Sequence, residues 1–489
     1  MKNKIKVLIV GAELNPLAKA GGLADVMGSL PIALKKENIN IAALIPFHEI
    51  IYKQKLVKKK KIFDFQVTFG NTKNLAHVWE SYIPNTKIKL YLLENKKFLS
   101  QGGVYKNTTV WNPRIKKTAQ EDNGYNIKYL FFSQAIIEFL KQQKSLPNIL
   151  HLNDWHTAPV AYLVKNDPAL NKIKTLFTVH NLGSKGNMSL NIIKLLNWDY
   201  KKIFKQEIKN KKSKAAVIKC ALQNADIINT VSKTYAKEIL TKEFGAGLEN
   251  EVKKRKKDLH GIVNGLDLVM FNPLKDKYLK TNFGIKSLPK KKINKAYLQK
   301  KSGLKIDENI PIFGLVSRLA SQKGLDMLLE IKDEICKLDA QFIFTGTGLK
   351  INENGFKNIQ KKYPDKFYYL NEFSVPFGQQ IYGGADMFLM PSKYEPCGLG
   401  QMIAMEYGTV PIVRATGGLK DTVIEGKTGF IFHGYDSKNL LRAIKKSIKI
   451  YQDKNKWQKI IKAGMRADHS WNKSAKEYKK LYLKLVNEK

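Results

Sequence analysis

One acid stands out by its setting. Glu395 lies in Pro391-Ser392-Lys393-Tyr394-Glu395-Pro396-Cys397-Gly398-Leu399-Gly400-Gln401, between a short apolar run and a stretch that opens like a helix. A carboxylate beside helix-start N–H groups suits a ligand carrying both hydroxyls and phosphates. Cys397 invites reading as a nucleophile, but packing within the turn suits it better. Two other places offer fixed cations. Lys19-Ala20-Gly21-Gly22-Leu23-Ala24-Asp25 puts an ammonium and two side-chain-free amides at a helix start, which suits an anion, although paired glycines also make plain tight turns. Arg318 and Lys323, five apart, can grip two neighbouring phosphates, the planar guanidinium in bidentate fashion. Asn153-Asp154-Trp155-His156 and His180-Asn181 gather polar and aromatic groups that favour a polyhydroxylated ligand. Thr416-Gly417-Gly418-Leu419-Lys420-Asp421 echoes the N-terminal glycine pair and suggests a second anion-friendly turn.

These residues need strands and helices to hold them. Ile5–Val10, Ile39–Ile45, Ile149–Asn153, Lys174–Val179 and Asp226–Val231 are short apolar, β-branched runs, as buried parallel strands are. Helical stretches separate most of them, and the special residues follow the strands' C-terminal ends, where open α/β sheets bind ligands. The opening resembles a Rossmann unit but lacks G-x-G-x-x-G, so it is not a dinucleotide fingerprint. Phe63–Phe69, Leu75–Tyr82 and Ile88–Leu93 alternate like strands, Gln101–Lys117 reads as a long loop, and Asn126–Gln142 as a helix. Val263-Asn264-Gly265-Leu266-Asp267 closes this series, and a domain boundary is expected near 265–272. A second α/β series follows, with strands at Ile312–Val316, Gln341–Thr345, Phe367–Leu370, Met387–Met390 and Val410–Val413 and a helix expected over Leu325–Leu338. Ser474–Val486 reads as a final helix. Two such domains with their special residues at strand ends imply facing edges and a cleft between them.

Composition narrows the classes. At 489 residues the chain exceeds one ordinary core, and 43% hydrophobic residues make it globular. Its apolar runs fall short of the roughly 18–20 residues a membrane helix needs. The N-terminal apolar segment is too short for a secretory signal, so a first strand is expected there, and the cytoplasm is the expected location. Cys220, Cys336 and Cys397 are odd in number and widely spaced, giving neither a disulfide framework nor metal spacing. A net charge of +43 raises nucleic acid as a partner. Codon bias explains it better. Only six of the 85 basic residues are arginine, and the lysine runs lack interleaved aromatics. An arginine kept in so lysine-rich a chain, such as Arg318, therefore draws attention.

The ordered motifs Lys19-x-Gly-Gly-Leu-Ala-Asp25, Asn153-Asp-Trp-His156, Thr178-Val-His180-Asn181 and Val263-Asn264-Gly265-Leu-Asp267 set a pattern. It continues through Ser317-Arg318-Leu-x-Ser-Gln-Lys323-Gly, Gly383-Gly384-Ala-Asp386, Pro391-Ser-x-Tyr-Glu395-Pro-Cys397-Gly-Leu and Thr416-Gly-Gly-Leu-x-Asp421. Together with Ser470-Trp471 near the end, they span most of the chain. This set resembles the bacterial glycogen synthase and plant starch synthase family of retaining glucosyltransferases. The resemblance implies an α/β protein of GT-B fold, with a Rossmann-like acceptor-side domain over 1–267. A nucleotide-sugar-binding domain would take 268–465, and a helix over 466–489 would cross back to the first domain. It implies transfer of glucose from ADP-glucose to the non-reducing end of an α-1,4-glucan such as glycogen, with no cofactor, no metal and no membrane partner. It assigns no oligomeric state.

By the same resemblance Arg318 and Lys323 would hold the diphosphate. Lys19, Gly21, Gly22 and Asp25 would line the phosphate and glucose side, and His156 would contact the transferred sugar, its carbonyl facing the anomeric centre, with Asn264 nearby. Glu395 would bond glucose hydroxyls, the Gly398, Leu399 and Gly400 amides would meet the distal phosphate, and Phe373 would lie against the nucleobase. The chain has no Asp-x-Asp, so fixed cations and helix-start amides would neutralise the leaving diphosphate. No second carboxylate stands at a spacing that forces a two-step scheme, which favours front-face attack by the acceptor hydroxyl assisted by the leaving phosphate. The chain departs from the family pattern at Gly183-Ser184-Lys185-Gly186, at Gly400 where Thr is common, at Ile403 where related enzymes have a second Glu, and after Gly346-Thr347-Gly348 where an acid is usual. A GT-B enzyme using another nucleotide sugar, such as UDP-glucose, or another acceptor is the alternative. A basic nucleic-acid-binding protein is a remote one.

Overall fold

A computed structural model describes residues 4–54, 56–105 and 125–487. The chain divides into two units. The first takes Met1–Val231, Ala236–Gly265 and Trp471–Lys489, and the second takes Ser232–Tyr235 and Leu266–Ser470. Most of the loop expected over Gln101–Lys117 lies outside the described residues.

In the first unit, strands form where the sequence is continuously apolar: β1 (Lys6–Val10), β2 (Asn40–Pro46), β5 (Lys89–Glu94), β6 (Ile149–Asn153), β7 (Lys174–Val179), β10 (Ile227–Thr230) and β11 (Leu259–Gly261). They pair in parallel, with Leu8 beside Ala42 on one side and Leu150 on the other. The amphipathic strands β3 (Lys60–Phe69) and β4 (Thr72–Tyr82) join antiparallel at one edge, where alternation lets one face meet water. The sheet runs β11-β10-β7-β6-β1-β2-β5-β4-β3. Two short strands absent from the sequence expectations, β8 (Asn187–Ser189) and β9 (Lys214–Ala216), make a separate ribbon. The direction of winding reverses between β1 and β6, and such a switch point leaves a crevice at the strands' C-terminal ends. The last helix, Trp471–Asn487, packs in this unit. Its Tyr482 hydroxyl lies 2.8 Å from His151 Nδ1, and its Tyr478 hydroxyl accepts from Asn229 at 3.0 Å.

The second unit holds an all-parallel sheet of β12 (Ile312–Val316), β13 (Gln341–Thr345), β14 (Phe367–Leu370), β15 (Met387–Met390), β16 (Val410–Arg414) and β17 (Phe430–Phe432), in the order β14-β13-β12-β15-β16-β17. Phe313 and Leu315, Phe342 and Phe344, and Met387 and Leu389 alternate onto one face, where Phe356, Ile444 and Trp457 complete a core. On the other face Gly314 admits the Val375–Gly384 helix, since a Cβ there would stand 2.4 Å from Ile381. The helix expected over Leu325–Leu338 is instead two, Leu325–Glu330 and Lys332–Cys336. Ile331 breaks the turn at φ −98° and ψ 20°, a geometry that periodicity does not report. Here the switch point falls between β12 and β15, the strands that precede Arg318 and Glu395.

Candidate active site

In the second unit two sequence motifs meet. Glu395 is buried, and its Oε2 accepts from Lys323 Nζ at 2.6 Å and from the Ser392 hydroxyl at 2.9 Å. Two further bonds stitch the two loops around that pair: Lys393 N–H donates to the Gln322 carbonyl at 2.8 Å, and the Gln322 side-chain amide donates to the Tyr394 carbonyl at 3.2 Å. Gly324 sits so close beneath Pro391 that a Cβ would lie 2.0 Å from its carbonyl oxygen. Arg414 donates from Nε to the Ser392 carbonyl at 2.8 Å and from its other end to the Lys393 carbonyl, so this arginine braces the turn. Arg318 differs. It is exposed, and its guanidinium has no hydrogen-bond or ion-pair partner among the described residues. An unpartnered, planar guanidinium at a strand's C-terminal end is open to a phosphate.

After Glu395 the chain turns through Gly398, at φ 74°, into the Gly400–Glu406 helix. No side chain caps that helix, and Gly398, Leu399 and Gly400 are all partly exposed. The second glycine pair has another task than the anion site its sequence suggested. Gly417 has φ 45°, and a Cβ on it would lie 1.9 Å from the Glu395 carbonyl oxygen. Gly418 N–H donates to that same oxygen at 3.0 Å. The pair is a floor under Glu395, with its amide already engaged. Phe373 is 68% exposed after β14, an apolar ring left in solvent where the sheet's C-terminal edge lies. Near the place where the family's acid is missing, the buried Glu353 of the next helix accepts from Gly348 N–H at 2.9 Å.

In the first unit the loop after β1 leads into the Gly22–Lys36 helix, whose N-cap, Gly21, makes no side-chain cap bond. Instead the buried Glu13 accepts the N–H groups of both Ala20 and Gly21 at 2.7 Å. The Gly21 amide is therefore occupied, and Gly22 begins the helix with open space where a Cβ would be. Lys19 pairs with Asp25 at 2.7 Å and remains partly exposed. Glu13 also accepts from the Tyr105 hydroxyl at 2.7 Å. Sequence reasoning passed over both Glu13 and Tyr105, since a lone Glu in a loop carries no spacing signal.

Beyond β6, Asp154 takes a positive φ of 57° and turns the chain into Trp155–Thr157 and the Ala158–Lys165 helix. Its carboxylate accepts His180 N–H at 2.7 Å, yet burial outweighs the backbone donors and pushes it up to about 7. His156 is 2% exposed, enclosed by Tyr105, Tyr129 and Trp155, and neither ring nitrogen has a hydrogen-bond partner among the described residues. An orphaned buried imidazole costs free energy. Burial first, then the nearby His180, lowers it to about 3, so it stays neutral. Its carbonyl lies 3.4 Å from the Ser133 hydroxyl, whose shorter bond at 2.9 Å goes to Tyr129. Asn264 is buried with its side-chain oxygen also unpartnered among the described residues. Within the Gly183–Gly186 departure only the last glycine has a packing cause. Gly186, at φ 63°, lies flat on the Trp155 indole, where a Cβ would come within 2.5 Å. Ile403 is buried too, consistent with a packing position.

Comparison with known proteins fits this geometry. The starch synthase catalytic domain family matches residues 6–254, and the group 1 glycosyl transferases match residues 298–464. The glycogen synthase of Fervidobacterium nodosum is 39% identical, over 98% of this chain and 98% of that one. That of Thermotoga maritima is 38% identical over 99% of each. The catalytic domain of starch synthase IV from Arabidopsis thaliana, solved bound to ADP and acarbose, is 29% identical with a TM-score of 0.88 over 99% of this chain and 100% of its own. A sucrose-phosphate synthase from Thermosynechococcus elongatus, 18% identical with a TM-score of 0.59, shares the fold alone. The fold is thus the α/β GT-B type, built from two Rossmann-like domains. With relatives at this identity along its whole length, the chain belongs to the glycogen synthase and starch synthase family of glycosyltransferases.

Proposed function

We propose that this protein is a glycogen synthase that moves glucose from ADP-glucose to the non-reducing end of an α-1,4-glucan, with retention of configuration and release of ADP. The observation that carries this reading is the full-length kinship with bacterial glycogen synthases. The Lys323–Glu395 pair beside an unengaged Arg318 supports it chemically.

Breaking the glycosyl–phosphate bond builds negative charge on the diphosphate and positive charge on the sugar ring. Arg318 and Lys323 answer the first, with the amides of Gly398, Leu399 and Gly400 beside them. Lys323 is preorganised for this by Glu395, whose second oxygen remains for a glucose hydroxyl. In the first unit, Lys19, Gly22 and Asp25 serve the phosphate and glucose side. His156 and Asn264 supply unpartnered polar groups to the transferred sugar, neutral and so able to donate or accept without a charge penalty. Phe373 offers its exposed ring to the nucleobase. Front-face attack by the acceptor hydroxyl, its proton passing to the leaving phosphate, needs no second carboxylate. Water must be kept from the donor, which closure around substrate accomplishes in enzymes of this chemistry.

The test is a donor panel. Incubated with ADP-glucose, UDP-glucose and glycogen, the protein should lengthen α-1,4 chains and release ADP faster than UDP. Faster UDP release would assign another donor, and no transfer from any nucleotide-glucose would remove the reading.

A further inference from the structure

A cavity of about 630 Å³ opens in the second unit where the Lys291–Lys301, Ser437–Gln452 and Lys454–Arg466 helices approach one another. That volume is typical of small-molecule sites. It lies at the sheet edge opposite the one that carries Arg318 and Glu395. Asp386, on its wall, immediately precedes β15 and accepts the N–H of Ile312, the first residue of β12, at 2.9 Å. Arg318 and Glu395 lie beyond the other ends of those same strands. This cavity belongs to no part of the reaction described above.

Its walls are six lysines against two acids, over an apolar floor that includes Trp457 and Ile461. The two acids are spent. Asp386 pairs with Lys295 and Glu308 with Lys292, each at 2.8 Å. Lys291 is satisfied by the carbonyls of Tyr382, Gly383 and Tyr407 and the Thr409 hydroxyl. Among the described residues Lys454 is left over, as are Lys286 and Lys462. The Lys454 ammonium rests 3.8 Å above the Tyr451 ring with no carboxylate partner among the described residues. Burial first, then the Lys295 charge, weaken its hold on its proton, and the Asp386 and Glu308 charges only partly offset them, so these cations lie within electrostatic reach of each other. Cations in excess over the two paired acids, beside an apolar floor, form a two-part recognition surface.

We propose that this cavity binds a phosphate monoester with an apolar or ring-shaped body, its phosphate beside Lys454 and its body against Trp457 and Ile461. Three and seven residues beyond Lys454, those two side chains share its helix face, so one small molecule reaches all three.

Phenyl phosphate is the probe, titrated into the full-length protein by calorimetry, with phenol and inorganic phosphate as its separate halves. Saturable binding is expected, with each half at least tenfold weaker. Lys454→Ala should weaken phenyl phosphate at least tenfold, while Lys454→Arg retains it. Lys456→Ala, an exposed lysine of the same helix outside the cavity, should leave it unchanged, as should Lys323→Ala at the opposite sheet edge. The proposal is overturned by an absence of saturable binding, or by Lys454→Ala binding as well as the unaltered protein. It is equally overturned by phenol binding as tightly as its phosphate, by Lys456→Ala weakening binding as much as Lys454→Ala, or by loss of binding in Lys323→Ala. Because the readout is binding, it stands or falls separately from the donor assay.

Discussion

Truncating Arg318 or Lys323 to alanine removes one fixed cation from the proposed diphosphate site, and each should lower kcat/KM for ADP-glucose at least tenfold, roughly the worth of one charged hydrogen bond. The two should differ in what else they change. Arg318 is exposed and holds nothing together, so its loss leaves stability where it was. Lys323 is paired with a buried acid, and removing it strands the Glu395 carboxylate, which should also cost roughly 3 kcal/mol in urea unfolding. Equal stabilities would contradict that pairing. At this scale the sequence was legible where chemistry is dense and spaced: Arg318, Lys323 and Glu395 stand in short motifs, and the rarity of arginine singled out the first. Glu13 was not legible. Its role comes from a chain reversal that returns the Ala20 and Gly21 amides to its carboxylate, and no local pattern encodes that return.

Turns, more than side chains, decide where Glu395 points. Gly417→Ala combines a left-handed backbone with a Cβ 1.9 Å from the Glu395 carbonyl oxygen, so it should destabilise by about 2–4 kcal/mol and depress activity by moving that turn. Gly426→Ala is the matched control. It has φ 67° with nothing within 4 Å, and should cost only about 1–2 kcal/mol with activity kept. If both variants lose activity alike, the floor under Glu395 is not what positions it. Strands were read well because buried parallel strands are uniform apolar runs; β12, β13, β14 and β15 have the bounds their residues suggested. The break at Ile331, the β8–β9 ribbon and the short β17 were not, because each depends on what packs against it rather than on periodicity. The repeated glycine pair misled for a related reason. Paired glycines permit close approach, and here what approaches is backbone.

Over the molecule as a whole, buried histidines set the acid limit. Burial lowers His151, His156 and His180 to about 3 and raises Asp154 to about 7. Burial also holds His48 well below the ordinary imidazole value, so on acidification below pH 6.5 unfolding takes up protons at four histidines and releases one at Asp154, a net uptake. Stability is therefore lost as pH falls below 6.5, by at least about 3 kcal/mol per pH unit. Urea unfolding at pH 5 and pH 7 measures this, and equal midpoints would contradict the burial of those rings. A nucleic-acid role would appear as tight, steeply salt-dependent binding that survives Lys323→Ala. The central claim is the transfer itself. Purified protein given radiolabelled ADP-glucose and glycogen should place label at the non-reducing ends of lengthened α-1,4 chains, with ADP released in equal amount, and Lys323→Ala should reduce it at least tenfold. Label that stays out of the glucan with ADP-glucose and every other nucleotide-glucose would contradict the account.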